Sequence, residues 1–223
     1  IRQQILTKFN LTHGDFYMKT FLFQGDSITD ANRDDENLIN CGLGHGYAFM
    51  LATEFEGEHK GEINFLNRGK SGDRITDVYA RIKEDIINLK PDFMSILIGV
   101  NDVSHELTMN CGVGPEKFRK IYGMLIDEIK ECLPDIKIII LEPFILKGKC
   151  TEELWDAFDA DVRRLAEIAK QVAKHYNFTF VPLQDKFDSL VSGGNTEHWA
   201  ADGIHPTAAG HEIIKEELLK AFL

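Results

Sequence analysis

Thr20-Phe21-Leu22-Phe23-Gln24 runs without a break into Gly25-Asp26-Ser27-Ile28-Thr29. The first five residues form a short, nearly continuous apolar run, the pattern of a strand covered on both faces. The glycine that follows marks a turn, and the serine then stands just past the carboxyl end of that strand. Four more runs of the same kind occur at 63–67 (INFLN), 93–98 (FMSILI), 136–141 (IKIIIL) and 178–181 (FTFV). Amphipathic stretches lie between them. The segment 46–56 has Tyr47, Met50, Leu51 and Phe55 at helical spacing, and 75–89 puts Ile75, Val78, Tyr79, Ile82, Ile86 and Leu89 on one stripe until Pro91 stops it. The stretches 115–132, 151–175 and 206–222 read the same way. Strands alternating with helices predict βαβ units and an α/β fold around a parallel sheet. Three segments fit neither pattern: 26–44, 101–114 and 193–205. Long irregular segments in a compact domain often carry function.

Composition narrows the field. Of 223 residues 43% are hydrophobic, enough for a core, and no run approaches the roughly 20 apolar residues of a membrane helix. The 36 acidic and 25 basic residues leave a net charge of −11, which argues against nucleic acid and against an anionic membrane surface as partners. Cys41, Cys111, Cys132 and Cys150 form no CxxC pair and are expected as buried or half-buried free thiols. No repeat, low-complexity tract or linker divides the chain, so one domain is expected over 18–223. Met18-Lys19-Thr20 has the look of a natural start, which makes 1–17 an N-terminal extension. That extension has no apolar core of the signal-peptide kind, and a cytoplasmic protein is expected.

In an open α/β sheet the ligand crevice lies beyond the carboxyl ends of the strands. There the chain places Ser27 after the first run, Asn67-Arg68-Gly69 at the end of the second, and Gly99-Val100-Asn101-Asp102 after the third. Asp202-Gly203-Ile204-His205 precedes the last helix. These are the parts that acyl transfer requires. A serine hydroxyl needs a base, a histidine supplies one near neutral pH, and a carboxylate holds the imidazole in the right tautomer. Donors must surround the developing oxyanion, and the backbone N–H groups of Ser27 and Gly69 with the amide of Asn101 are the candidates.

Each residue has a plainer reading. Ser27 suits a helix cap, Gly69 and Gly72 suit turns, and His205 could cap the last helix with Pro206 at its first position. Asp102 reads as a structural acid bonded to nearby backbone amides. Asp26 should point away from the crevice, and Glu197 and Asp188 are less well spaced than Asp202 as partners for the base. His198, Asp202, His205 and His211 admit a metal site by spacing alone. The run Gly42-Leu43-Gly44-His45-Gly46 lacks the ending of a phosphate loop and reads as a rim of the site that leads into a helix.

Four blocks in order, Gly25-Asp26-Ser27, Gly69, Gly99-Val100-Asn101-Asp102 and Asp202-Gly203-Ile204-His205, resemble the SGNH hydrolase (GDSL esterase) superfamily. The resemblance implies a three-layer α/β/α, flavodoxin-like fold with five parallel strands in the order 2-1-3-4-5. It implies a Ser27–His205–Asp202 triad, with Ser27, Gly69 and Asn101 at the oxyanion and no metal or cofactor. Gly25–Asp30 with Arg33, the stretch from Gly42 to Tyr47, and Trp199 with the stretch from His205 to His211 are similar to the bacterial carbohydrate acetylesterases of that superfamily. That likeness implies O-deacetylation of a sugar such as a xylo-oligosaccharide, and it admits a homo-oligomer. Trp199 is then a candidate platform for a sugar ring. Lysophospholipid or thioester hydrolysis, and a non-catalytic flavodoxin-like binding module, stay open as alternatives.

Overall fold

The computed structural model describes residues 18–59 and 63–221. The expected extension 1–17 lies outside the described residues. Five strands form one all-parallel sheet: β1 (Lys19–Gly25), β2 (Ile63–Asn67), β3 (Phe93–Leu97), β4 (Lys137–Leu141) and β5 (Thr179–Val181), in the order β2-β1-β3-β4-β5. The register pairs Phe23 with Asn67 and Gly25 with Leu97, so β1 and β3 end at one level and β2 ends two residues before them. The order reverses between β1 and β3. Connections leave the two strands in opposite directions there, and a crevice opens between their carboxyl ends.

Among the described residues ten α-helical segments accompany the sheet: α1 (Ser27–Asp30), α2 (Tyr47–His59), α3 (Ile75–Ala80), α4 (Ile82–Asp85), α5 (Val100–Met109), α6 (Pro115–Cys132), α7 (Trp155–His175), α8 (Gln184–Val191), α9 (Thr196–Trp199) and α10 (Ala208–Lys220). Helices α2 and α10 pack together, and α3, α6 and α7 pack in sequence. The sheet is thereby covered on both faces, which is why β3 is buried at every position. The long helices follow their sequence pattern. Pro115 opens α6, where its missing N–H costs nothing, and Phe118, Tyr122, Leu125, Ile126 and Ile129 form the buried stripe. Phe21, Phe23 and Phe65 bring their rings within 4.7 to 6.1 Å of one another beneath α2.

Several expectations need correction. The helix predicted over 75–89 is broken into α3, α4 and a 3₁₀ turn at Ile87–Leu89. Its apolar stripe is still buried at Ile75, Val78, Ile82 and Ile86, but the backbone leaves helical geometry at Arg81 and Ile86. The Arg81 side chain pairs with Asp73 before the break and Asp85 after it. Most of the segment 101–114, read as irregular, belongs to α5. Its apolar face is only Val100, Val103 and Leu107, too sparse to show against Asn101, Asp102, His105 and Glu106. Helix α8 was not anticipated. The last helix starts at Ala208 with Thr207 as its cap, not at Pro206, so His205 caps nothing. Pro206 instead bridges to Ala200. The stretch 151–175 opens with a 3₁₀ turn, Glu152–Leu154, before α7. The four cysteines are free, as expected, but exposed rather than buried. Among the described residues no helix is long and apolar enough to cross a membrane.

Candidate active site

Ser27 is the first residue of α1, directly beyond β1. The cap of that turn is Asp26, whose Oδ1 accepts from the Ile28 N–H at 3.0 Å. Asp26 therefore points into the protein, as the sequence suggested, and Ser27 is left free to face the crevice. Its N–H meets no acceptor among the described residues. Burial of Asp26 pushes its pKa up to about 7, against the bond from Ile28 and the charge of His205.

The Ser27 Oγ lies 2.9 Å from His205 Nε2, and His205 Nδ1 lies 2.8 Å from Asp202 Oδ2. The loop that carries both residues is wound on itself. Asp202 Oδ1 accepts from the His205 N–H at 2.8 Å and the Ile204 N–H at 2.9 Å, so the carboxylate is held by the same loop it orients. Burial works against the charge of Asp202, but the backbone and ring bonds from His205 and the bond from Ile204 outweigh it and hold the carboxyl below its usual range. Gly203 makes the winding feasible. Its φ is +97°, and a Cβ there would lie 2.5 Å from the Leu146 carbonyl oxygen. The Leu146–Thr151 loop braces it: the Leu146 N–H donates to Gly203 O and the Cys150 N–H to Asp202 O, both at 2.9 Å.

Asn101 stands in the first turn of α5, 8% exposed, and donates one amide N–H to the Asp73 carbonyl at 3.0 Å. A primary amide has two N–H groups, so one remains. Gly69 sits against the end of α1, where a Cβ would approach the Asp30 nitrogen to 2.4 Å. Its N–H already donates to Asn67 Oδ1 at 2.9 Å, which the sequence did not foretell. Asn67 is buried and donates in turn to the carbonyls of Thr29 and Leu43. It ties three loops of the rim together. The only hint of this in the sequence was an asparagine ending an apolar strand. Asp30 fastens the next turn, with Oδ2 accepting from the N–H and the hydroxyl of Ser71. Asp102 has the structural role expected of it: fully buried, it accepts from the Ile75 N–H at 3.1 Å.

A cavity of about 510 Å³ opens beside Ser27 and His205, with Asn32, His45, Ser71 and His211 on its wall. The size is that of a small-ligand site. His45 on that wall agrees with the reading of 42–46 as a rim. Trp199 is not on the wall. It is half-buried against the core, its ring edge-on to His198. The four residues weighed as metal ligands do not gather. His211 Nδ1 accepts from the Tyr47 N–H, and among the described residues no three His, Cys, Asp or Glu side chains converge as a metal site.

Residues 23–213 match the GDSL-like Lipase/Acylhydrolase family. An acetylxylan esterase of Geobacillus stearothermophilus is 31% identical over 212 residues, which covers 89% of this chain and 91% of that protein. The crystal structure of Axe2, an acetylxylan esterase from Geobacillus stearothermophilus, superposes with a TM-score of 0.81 at 29% identity, over 92% of this chain and 94% of that one. A GDSL-like lipase candidate from Parabacteroides merdae superposes with a TM-score of 0.86 at 32% identity, over 92% and 95% of the two chains.

Proposed function

The chain belongs to the GDSL-like lipase/acylhydrolase family and is a carboxylic ester hydrolase; on that premise we propose that it removes acetyl groups from a carbohydrate, through an acyl-serine intermediate at Ser27. The observation that carries this reading is the line from Ser27 Oγ to His205 to Asp202, with steps of 2.9 and 2.8 Å. Ser27 attacks the ester carbonyl as its proton passes to His205 Nε2. Asp202 holds His205 Nδ1–H and offsets the charge the ring acquires. The tetrahedral oxyanion takes the free Ser27 N–H and the second amide N–H of Asn101. Gly69 N–H joins as the oxyanion draws it from Asn67 Oδ1. The C–O bond to the alcohol then breaks, and His205 returns its proton to the departing oxygen. Water, deprotonated by His205, attacks the acetyl-serine carbonyl. Acetate leaves and Ser27 recovers its proton.

The acetyl preference and the sugar class are supported by the likeness to the Geobacillus enzyme and by the polar wall of the cavity, where Asn32, His45 and Ser71 suit hydroxyls better than a long acyl chain. The test is acetate release from acetylated xylo-oligosaccharides, set beside a series of p-nitrophenyl esters from acetyl to octanoyl and a lysophospholipid. Rapid acetate release with activity falling along the series is expected. A preference for octanoyl esters or lysolipid would assign the site to long acyl chains.

A further inference from the structure

Histidine 211 stands in the first turn of α10, 8% exposed, and yet lies on the wall of the cavity that holds Ser27 and His205. Its orientation is fixed from three sides. Nδ1 accepts from the Tyr47 N–H at 3.2 Å. The Tyr47 ring stacks on it with centroids 6.2 Å apart. Gly46 admits the Nδ1 edge: a Cβ there would lie 2.7 Å from Cε1 and 2.9 Å from Nδ1. A neutral imidazole has one lone pair and one N–H. With the lone pair of Nδ1 engaged, the hydrogen is on Nε2, and no described residue accepts it.

Of the three oxyanion candidates only Ser27 lines the cavity, so it extends away from Gly69 and Asn101 on the His205 side of the nucleophile. At about 510 Å³ it is far larger than an acetyl group requires. It therefore suits the alcohol half of the ester. Resting on the carbohydrate reading above, we infer that His211 is a specificity-determining residue whose Nε2–H donates to an oxygen of the sugar that departs as the alcohol. A donor held in one orientation on the cavity wall, with no protein partner, discriminates because only a substrate with an oxygen at that place gains its hydrogen bond. The ring stays neutral while it does this: burial, and then the charge of His205, push its pKa down to about 4. His211 is thus a fixed donor beside a base that cycles its proton.

The experiment compares His211→Phe and His211→Gln with the unaltered enzyme on acetylated xylotriose and on p-nitrophenyl acetate. Phenylalanine keeps a ring against Tyr47 and removes both nitrogens. Glutamine offers an acceptor and a donor again. For His211→Phe, kcat/KM on the sugar ester is expected to fall about tenfold more than on the aryl ester, mostly through KM, the usual weight of one neutral hydrogen bond. His211→Gln should recover part of that difference. Equal losses on the two substrates overturn the inference. Should His211→Phe fail to fold, ¹⁵N spectra of the Ser27→Ala enzyme decide the matter: acetylated xylotriose should move the His211 Nε2 resonance, and an unmoved resonance under saturating sugar overturns the inference. An unaltered enzyme that cleaves p-nitrophenyl acetate but releases nothing from acetylated xylotriose would overturn the carbohydrate reading itself, and this inference with it.

Discussion

Two buried titratable residues flank the proposed nucleophile, and their effects on stability run in opposite directions. Asp26 is raised to about 7, so between about pH 4 and 7 the native state keeps a proton that the unfolded chain releases, and stability falls as pH rises through that window. His211 is lowered to about 4, so the unfolded chain takes up a proton near 6.5 that the native ring refuses until about 4, and stability falls as pH drops through that window. Asp26→Asn retains the cap oxygen for Ile28 and removes only the titration. Urea melts of that variant should show a gain over the natural protein that grows from pH 4 to 7 and reaches the order of a few kcal/mol above pH 7. Parallel curves for the two proteins would show that Asp26 is ionised in the fold. Asn101→Ala should lower kcat on p-nitrophenyl acetate by about 10²–10³, the usual loss of one oxyanion donor, and undiminished turnover would remove Asn101 from the oxyanion site. The sequence pointed to Ser27, Asp202, His205 and Asn101 because each lies beside the end of a strand or the start of a helix. The engagement of Gly69 by Asn67 turns on one side-chain rotamer, fixed by the distant carbonyls of Thr29 and Leu43, and the place of His211 on the cavity wall depends on Gly46 and Tyr47, far from it in sequence, so neither could be read there.

Elements set these residues in place, and their legibility varied with the strength of their periodicity. Helices α6 and α7 bury a continuous stripe and were readable from the spacing of their apolar residues. Helix α5 buries only its first turn, packs against α7, and carries polar residues along the rest of its length, so its sequence resembles a loop. The break between α3 and α4 contains neither glycine nor proline, and the ion pairs of Arg81 across it left no local signal. The loop 202–205 depends on one backbone position. Gly203→Ala would force a side chain onto the Leu146 carbonyl at a φ of +97°, and should cost more than about 2 kcal/mol and lower kcat with it. Gly193→Ala, where nothing lies within 4 Å of the added carbon, should do neither, as thermal melts and initial rates of the two variants would show. A Gly203→Ala enzyme with unchanged melting and rate would mean that the tight turn does not hold the His205–Asp202 pair.

At the scale of the whole molecule, the sheet order β2-β1-β3-β4-β5 brings four distant stretches to one edge. Ser27 follows β1, Gly69 follows β2, Asn101 follows β3, and the loop bearing Asp202 and His205 returns after β5 along α10. The reversal between β1 and β3 makes that edge a crevice, so the same topology that buries the sheet also exposes the hydroxyl. The alternation of apolar and amphipathic runs was enough to foresee an α/β fold around a parallel sheet, whereas the strand order was implied only by the resemblance to the SGNH superfamily. The most direct test of the account is to label the protein with a serine-directed fluorophosphonate and map the adduct by mass spectrometry. The account predicts one adduct at Ser27, formed in step with the loss of esterase activity and slowed severely by His205→Ala. Full activity after Ser27 is labelled, or an adduct that inactivates the enzyme from another serine, would contradict it.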